Sequence, residues 1–111
     1  MNTTNLVLTQ TDTAETVKAT EFDDTIYAKG GNDTIYAKGG NDTIYGGDGN
    51  DRIEAGSGND ILVGGKGDDT LIGSTGSDTY LWNLGDGFDT IDDYEDPSVG
   101  NVDKIVFGEG I

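Results

Sequence analysis

The chain has 111 residues, of which 32% are hydrophobic, and its 22 acidic residues outnumber its 6 basic ones to give a formal net charge of −16. A chain of this size forms one small domain, and so little apolar surface does not by itself offset chain entropy and charge repulsion. The acidic balance disfavours nucleic acid or an anionic membrane as a partner. With no cysteine and no histidine, disulfides, thiolate zinc sites and the usual general base are excluded. Oxygen-binding cations remain as the natural partners.

The first twenty residues are polar and rich in threonine. Leu8 and Val17 stand in register with the repeat that follows, and Glu15 stands where that repeat would place an aspartate. Residues 1–19 are therefore predicted to form either a degenerate first coil or an N-terminal tail. This segment lacks the basic start and apolar core of a signal peptide, so an export signal is expected elsewhere. No apolar run in the sequence reaches membrane-spanning length.

Residues 20–81 repeat a nine-residue unit, which is plainest in TIYAKGGNDTIYAKGGNDTIYGGDGND at 25–51. Each unit has an aspartate and, two positions later, an apolar or aromatic residue. The aspartates are Asp24, Asp33, Asp42, Asp51, Asp60, Asp69 and Asp78. The residues two positions later are Ile26, Ile35, Ile44, Ile53, Leu62, Leu71 and Tyr80. An unbroken period over seven copies indicates a repeat architecture.

The nine-residue unit is too short for two helices, and its glycine content disfavours any helix. It fits a six-residue turn followed by a three-residue strand, whose middle residue points inward while its neighbours point outward. Two units close one coil of eighteen residues, and stacked coils bury a continuous row of Ile and Leu. The predicted fold is all-β, a right-handed parallel β-roll with two nonapeptides per coil.

Carboxylates at this spacing predict calcium sites between neighbouring coils. Aspartates eighteen residues apart would lie on the same edge, about 4.8 Å apart, and form two ladders of like charge. Calcium takes about six to eight oxygens, so one ion can contact two carboxylates and turn carbonyls. Glycines let the turns adopt positive φ and direct those carbonyls to the ion. The predicted metal-site glycines are Gly30, Gly31, Gly39, Gly40, Gly46, Gly47, Gly49, Gly56, Gly58, Gly64, Gly65, Gly67, Gly73 and Gly76.

Neighbouring aspartate pairs on the two edges predict about five calcium ions, which would change the formal net charge from −16 to −6. Because such a site exists only in the folded chain, calcium binding and folding are expected to be coupled. Magnesium is expected to substitute poorly, since it demands a tight octahedral shell. Asp60 would contact two ions, so its loss is expected to be the most damaging.

Residues 46–54, GGDGNDRIE, and 64–72, GGKGDDTLI, resemble the G-G-x-G-x-D-x-U-x repeat of the RTX (repeats-in-toxin) family. The resemblance covers residues 20–81. It implies a calcium-bound parallel β-roll from a bacterial protein that is exported by type I secretion. Such a domain is unfolded in the low-calcium cytosol and folds outside the cell. The resemblance also implies a parent protein, because these repeats usually follow a lipase, protease, toxin, adhesin or epimerase.

The loops before Asp33 and Asp42 depart from that repeat. Ala28-Lys29 and Ala37-Lys38 replace the first two glycines, and the glycine pair sits one place late. A nearby ammonium group and a stiffer turn are expected to weaken calcium binding there. The loop before Asp24, ATEFD at 19–23, contains no glycine. The strongest sites are expected at the pairs Asp51 with Asp69 and Asp60 with Asp78.

After Tyr80 the period breaks, and residues 82–111 are predicted to cap the last coil. DTYLW at 78–82 and GDGFDTI at 85–91 resemble the end of RTX repeat arrays. Asp89 falls eleven residues after Asp78 and is a candidate further ligand beside Asp69. The aromatic residues predicted to cover the open end are Trp82, Phe88, Tyr94 and Phe107.

Other motifs fit the sequence less well. DGNDRIEAGSGN at 48–59 lacks the central glycine and the final glutamate of an EF-hand. GGKG at 64–67 lacks the Ser or Thr of a phosphate-binding P-loop, and the NDT sequons at 32–34 and 41–43 are by-products of the repeat. Turn preference alone explains one Asn-Asp loop but not seven in register. With no His, Cys or activated serine, the chain is not expected to be an enzyme.

The outward strand positions offer an alternative function, because an exposed aromatic and apolar stripe often marks a contact surface. Such a surface could bind a domain of the parent protein, a polysaccharide as in epimerase-attached RTX modules, or ice. Tyrosine and threonine are also simply favourable strand residues. The chain is expected to be a monomer. One predicted face carries Tyr27, Tyr45, Val63 and Leu81 beside Thr25, Thr43, Ile61 and Thr79, and the other carries Tyr36, Glu54 and Ile72 beside Thr34, Arg52 and Thr70.

Overall fold

The computed structural model describes residues 7–9, 13–82, 87, 89–91 and 104–107. Within these ranges the chain forms short strands joined by loops and contains no helix. The strands are β1 (Val7–Thr9), β2 (Thr16–Lys18), β3 (Thr25–Tyr27), β4 (Thr34–Tyr36), β5 (Thr43–Tyr45), β6 (Arg52–Glu54), β7 (Ile61–Val63), β8 (Thr70–Ile72), β9 (Thr79–Trp82), β10 (Thr90–Ile91) and β11 (Lys104–Phe107).

Successive strands alternate between two parallel sheets through most of the chain. Sheet 1 has six strands in the order β1-β3-β5-β7-β9-β11, and sheet 2 has five in the order β10-β8-β6-β4-β2. From β1 to β9 the paired residues are eighteen apart, as in Ile26 with Ile44 and Ile35 with Ile53. One coil therefore holds two nonapeptides, and the predicted parallel β-roll is confirmed.

The core is a single row of side chains from each sheet. Tyr27 is exposed and Thr25 is half-buried, whereas Ile26 between them has no exposed surface. This alternation repeats because successive side chains of a strand point to opposite faces. The buried row comprises Val17, Ile26, Ile35, Ile44, Ile53, Leu62, Leu71 and Tyr80, and Ala19, Ala28, Ala37 and Ala55 pack beside it.

Most of the six-residue loops between strands share one backbone shape. In the six loops from 28–33 to 73–78 the second and fourth positions have positive φ, as at Gly47 (89°) and Gly49 (113°), whereas loop 19–24 lacks this pattern. Lys29 and Lys38 occupy the second position and adopt the same left-handed conformation, with φ of 72° and 74°. Gly31 occupies the fourth position with φ of 89°, so the glycine pair of the AKGG loops is not displaced relative to that position. The structural departure in these loops is a left-handed lysine, which costs about 1–2 kcal/mol.

The eighteen-residue register holds at the N-terminal end of the described roll and changes at the C-terminal strands β10 and β11. β1 and β2 begin the two sheets and pair with β3 and β4. Thr90 in β10 pairs with Thr70, twenty residues earlier, so the two-residue insertion before β10 is absorbed without loss of pairing. β11 pairs in parallel with β9. The predicted aromatic cap lies outside the described residues at Phe88 and Tyr94, and outside the described side chains at Trp82 and Phe107.

Candidate metal centre

The loops form two edges of the roll, and each edge collects one series of the predicted aspartates. Loops 28–33, 46–51 and 64–69 lead from sheet 1 to sheet 2 and form the Asp51 edge. Loops 37–42, 55–60 and 73–78 lead back and form the Asp60 edge. All seven aspartates of the period are buried, with 1–2% of their surface exposed, and they are Asp24, Asp33, Asp42, Asp51, Asp60, Asp69 and Asp78.

From Asp33 to Asp78, one oxygen of each buried carboxylate accepts a hydrogen bond from a backbone N–H of the preceding coil. The backbone N–H of Asp42 donates to Asp60 Oδ1 at 2.8 Å, and that of Asp51 donates to Asp69 Oδ1 at 2.8 Å. The same bond recurs from Asp24 to Asp42, from Asp33 to Asp51 and from Asp60 to Asp78, at 2.8–2.9 Å. The aspartates from Asp33 to Asp78 therefore link each coil to the one before it, a role that the sequence did not predict.

The second carboxylate oxygen has no hydrogen-bond partner at several rungs of both edges. Burying an anionic oxygen without a partner is costly, so such atoms mark a place where a cation fits. The unpartnered, fully buried oxygens include the Oδ2 atoms of Asp33, Asp42, Asp51, Asp60 and Asp69.

Backbone carbonyls face the same gap as these oxygens. A β-carbon built on Gly46 would lie 2.7 Å from Asp51 Oδ2 and 2.8 Å from the carbonyl oxygen of Gly64, which belongs to the next coil. An anionic oxygen and a neutral carbonyl oxygen therefore converge over a glycine, which is the oxygen-only chemistry that calcium prefers. Within the described ranges no three acidic side chains converge to hold a metal, so carbonyl oxygens would have to complete the shell.

Burial raises the pKa of the ladder carboxyls, because the charged form loses its hydration. The pKa of Asp60 rises to about 8, and those of Asp42, Asp51 and Asp69 rise to about 7. The backbone N–H bond to each carboxylate opposes this rise, and the neighbouring carboxylates on the same edge add to it. Without a cation, the folded edge therefore holds protons at a pH where an exposed aspartate has lost them.

These raised pKa values predict that protons stabilise the calcium-free fold. An unfolded aspartate ionises near pH 3.8, so at higher pH the folded chain binds more protons and its free energy of unfolding falls as pH rises towards about 8. In chelator, far-UV circular dichroism is expected to report more β structure at pH 5.5 than at pH 8. Calcium added near pH 7 is expected to release protons into a weakly buffered solution. A flat pH dependence in chelator would contradict this expectation.

The glycine-free loop 19–24 of the Asp60 edge binds the Asp24 carboxylate through its own Thr20. The Thr20 hydroxyl donates to the Asp24 carboxylate at 2.8 Å from Oδ1, and the Thr20 N–H donates to Oδ2 at 2.9 Å. Glu21 accepts the N–H of Gly39 at 2.8 Å. On the other edge the N–H of Glu15 donates to Asp33 Oδ1 at 2.9 Å, although this position of the repeat carries glutamate rather than aspartate.

The Asp51 edge extends at its C-terminal end to the candidate ligand Asp89. The N–H of Asp69 donates to Asp89 Oδ1 at 3.0 Å, across twenty residues rather than eighteen. The ladder pattern therefore passes through the two-residue insertion. This bond places Asp89 beside Asp69, where the sequence suggested a further ligand.

A second ladder, which the sequence reasoning missed, runs in the opposite direction along the fifth loop position. Its side chains are exposed, and each accepts the N–H of the residue eighteen positions later. Asn32 Oδ1 accepts from Asn50, and Asn41 Oδ1 accepts from Asn59, both at 2.8 Å. The recurring Asn-Asp pairs were the available signal in the sequence. Asparagine favours turns, so its presence was explained without a contact between coils.

Glycines at the second and fourth loop positions let neighbouring coils approach closely. A β-carbon on Gly47 would overlap the carbonyl oxygen of Lys29, and one on Gly58 would overlap that of Gly40. Gly56, Gly65, Gly67 and Gly76 meet the preceding coil in the same way. Gly30, Gly39, Gly46, Gly64 and Gly73 do not have positive φ. Only part of the predicted glycine set is therefore required for a left-handed turn.

A parallel β-roll with buried carboxylates along both edges defines a repeat module that binds metal ions. The sequence profile of the RTX calcium-binding nonapeptide repeat, which spans four copies, matches residues 10–44 and 45–80. These matches cover more than half of the chain, so it belongs to this calcium-binding family, as its glycine and aspartate spacing predicted. A search of curated proteins found no match.

The family defines a structural calcium-binding unit rather than a catalytic one. Along the part of the chain that the structure describes, no helical segment has the length and apolar character needed to cross a bilayer.

Proposed function

We propose that the chain is a calcium-triggered folding module of a secreted protein. It stays unfolded where calcium is scarce and folds on meeting extracellular calcium, which would assist type I secretion and stabilise the attached domain. The observation that supports this most is the row of buried, unpartnered Oδ2 atoms on both edges. Without cations these oxygens oppose folding, and with calcium they become the ligands that drive it.

The module is proposed to comprise the repeats at 20–81, a degenerate first coil in 1–19 and a cap in 82–111. About five ions are proposed to bind between neighbouring aspartates of each edge. Each ion would be held by carboxylates of two coils and by loop carbonyls such as that of Gly64. The proposed ligand carboxylates are those of Asp24, Asp33, Asp42, Asp51, Asp60, Asp69, Asp78 and Asp89.

Calcium is expected to convert the chain from coil to β structure at free concentrations of about 0.1–1 mM, the range of extracellular calcium modules. The measurement is a titration that starts in chelator and is followed by far-UV circular dichroism and Trp82 fluorescence. Magnesium at the same concentrations is the control and is expected to have little effect. A chain that is fully folded in chelator at pH 8 would contradict the proposal.

A second candidate function rests on the outward face of sheet 1. Its positions in β3, β5, β7 and β9 carry no charged side chain, although the chain has a formal net charge of −16. The rings of Tyr27 and Tyr45 stack with centroids 4.9 Å apart and planes within 2°. Each ring therefore covers a face of the other, which leaves ring edges for a partner. We propose a neutral polysaccharide as the ligand, because a polyanion would be repelled by the chain as a whole.

Retention of the calcium-loaded chain on insoluble neutral polysaccharide tests this second function. Tyr27→Ala and Tyr45→Ala are expected to abolish retention, whereas Tyr36→Ala on sheet 2 is the matched control and should leave it intact. Equal retention of all three variants, or no retention of the parent chain, would reject the polysaccharide role and leave the folding function unaffected.

A further inference from the structure

Tyr80 is the one tyrosine in the inward row of the described strands, where the other members are aliphatic. Its side chain is 2% exposed, so its hydroxyl group is buried together with its ring. A buried hydroxyl requires a polar environment, because leaving it in apolar surroundings costs free energy. The core strands supply only apolar side chains in this row, so the hydroxyl group must find its polar surroundings outside the row.

The hydroxyl group reaches the Asp60 edge at Gly73, the first residue of loop 73–78. A β-carbon on Gly73 would overlap both the Tyr80 hydroxyl oxygen and Asp78 Oδ2. Gly73 does not have positive φ, and the equivalent positions carry Ala28, Ala37 and Ala55 elsewhere. The backbone would therefore accept alanine here. What requires glycine is the pair of oxygen atoms above it.

The same arrangement of oxygens occurs at Gly46 on the other edge. There the space over the glycine is shared by Asp51 Oδ2 and the carbonyl oxygen of Gly64 in the next coil. Over Gly73 the oxygen that accompanies the aspartate is the Tyr80 hydroxyl, whereas over Gly46 it is a backbone carbonyl. The Asp51 edge continues through Asp89, whereas at the last described loop of the Asp60 edge an oxygen from the core lies near Asp78.

We propose that Asp78 and Tyr80 form a further calcium site over Gly73, called the terminal site because loop 73–78 is the last described loop of the Asp60 edge. This site lies beyond the pair Asp60 and Asp78, so it is additional to the five sites between neighbouring aspartates. Tyr80 supplies the neutral oxygen here, as the Gly64 carbonyl does over Gly46. The inference rests on the proposed calcium binding of the module and extends it by one ion whose ligand set includes a phenol.

Isothermal titration calorimetry with calcium, started from the calcium-free chain, tests this site through the number of ions bound at saturation. Tyr80→Phe keeps the ring in the core and removes one oxygen, so it is expected to bind one ion fewer than the parent chain. Tyr36→Phe, which removes the hydroxyl group of a partly exposed side chain on sheet 2, is the matched control and should keep the parent number. A merely structural role of Tyr80 would lower the melting temperature in saturating calcium without changing the ion count.

Gly73→Ala provides a second variant in case Tyr80→Phe does not fold. Its methyl group would displace both oxygens while Tyr80 remains, so it is also expected to lose one ion. An unchanged ion number and midpoint in the folded Tyr80→Phe or Gly73→Ala chain would overturn the terminal site while leaving the other calcium sites in place. A parent chain that binds no calcium would overturn the proposed function itself, and the terminal site with it.

Discussion

Asp60→Asn is expected to maintain or raise the stability of the calcium-free fold and to weaken calcium-dependent folding. In chelator at pH 8 the variant should contain at least as much β structure as the parent, because it removes a buried charge whose pKa is raised to about 8. With calcium, the midpoint of folding should rise at least about tenfold, because the residue is proposed to contact two ions. Each ion contributes about 2.7 kcal/mol when free calcium is about 100 times its dissociation constant.

Comparing Asp60→Ala with Asp60→Asn distinguishes the roles of the two carboxylate oxygens. It also removes the acceptor for the Asp42 N–H, which Asn can keep through its own Oδ1. Leaving that buried donor unpaired costs about 1–3 kcal/mol more, so alanine should be less stable than asparagine in both conditions. Circular dichroism over a calcium series measures both effects.

Asp48→Asn is the matched control for the Asp60 variants. It changes the formal charge by the same amount in an exposed side chain of the neighbouring edge. Its calcium midpoint should stay close to that of the parent chain. If Asp60→Asn also folds at the parent calcium concentration, the buried ladder is not the calcium site.

Gly58→Ala is expected to destabilise the calcium-loaded fold by about 2–5 kcal/mol, since a left-handed residue and an overlap between coils both contribute. Gly58 has a φ of 111°, and its β-carbon would overlap the Gly40 carbonyl oxygen and lie 2.7 Å from the carbonyl carbon. Neighbouring coils must separate to relieve that overlap, which would weaken the Asp42 to Asp60 bond beside it. Thermal unfolding in saturating calcium gives the magnitude.

Gly30→Ala is the control for the effect of adding a methyl group to a loop glycine. Gly30 occupies the third loop position, lacks positive φ, and is replaced by Asp48 in the next coil of the same edge. The variant should melt within a few degrees of the parent chain. Equal destabilisation by the two substitutions would mean that flexibility of the loops, rather than close approach of the coils, explains the glycines.

The period of the sequence predicted the fold because a single contact rule repeats along the chain. Ile26, Ile35 and Ile44 had to face the same interior once the aspartates stood nine residues apart, and the sheets follow from that rule. The carboxylate ladder followed from the same arithmetic. Period alone could not reveal the bond from each carboxylate to the preceding coil, because that bond depends on how the loop backbone turns.

The features that the sequence did not reveal are those in which a residue adopts a conformation or makes a contact that is unusual for its type or position. Lys29 and Lys38 adopt a backbone conformation typical of glycine, which residue preference argues against. Thr20 closes an irregular loop through its hydroxyl group. Tyr80 looks like one more core residue in a list of inward positions, and only its three-dimensional reach to Gly73 gives it a polar role. Each of these depends on local backbone or side-chain geometry rather than on spacing.

The eighteen-residue register of the sheets also constrains how this chain can change in length. A gain or loss of eighteen residues lengthens or shortens the roll by one coil and leaves every later strand on the same sheet. A gain of nine keeps all aspartates in phase but moves every later strand to the opposite sheet. The Arg52 and Glu54 pair would then continue the row that begins with Tyr27. Duplication of an even number of nonapeptides therefore lengthens each sheet with its own outward residues. Duplication of an odd number makes each sheet carry its own outward residues before the insertion and those of the other sheet after it.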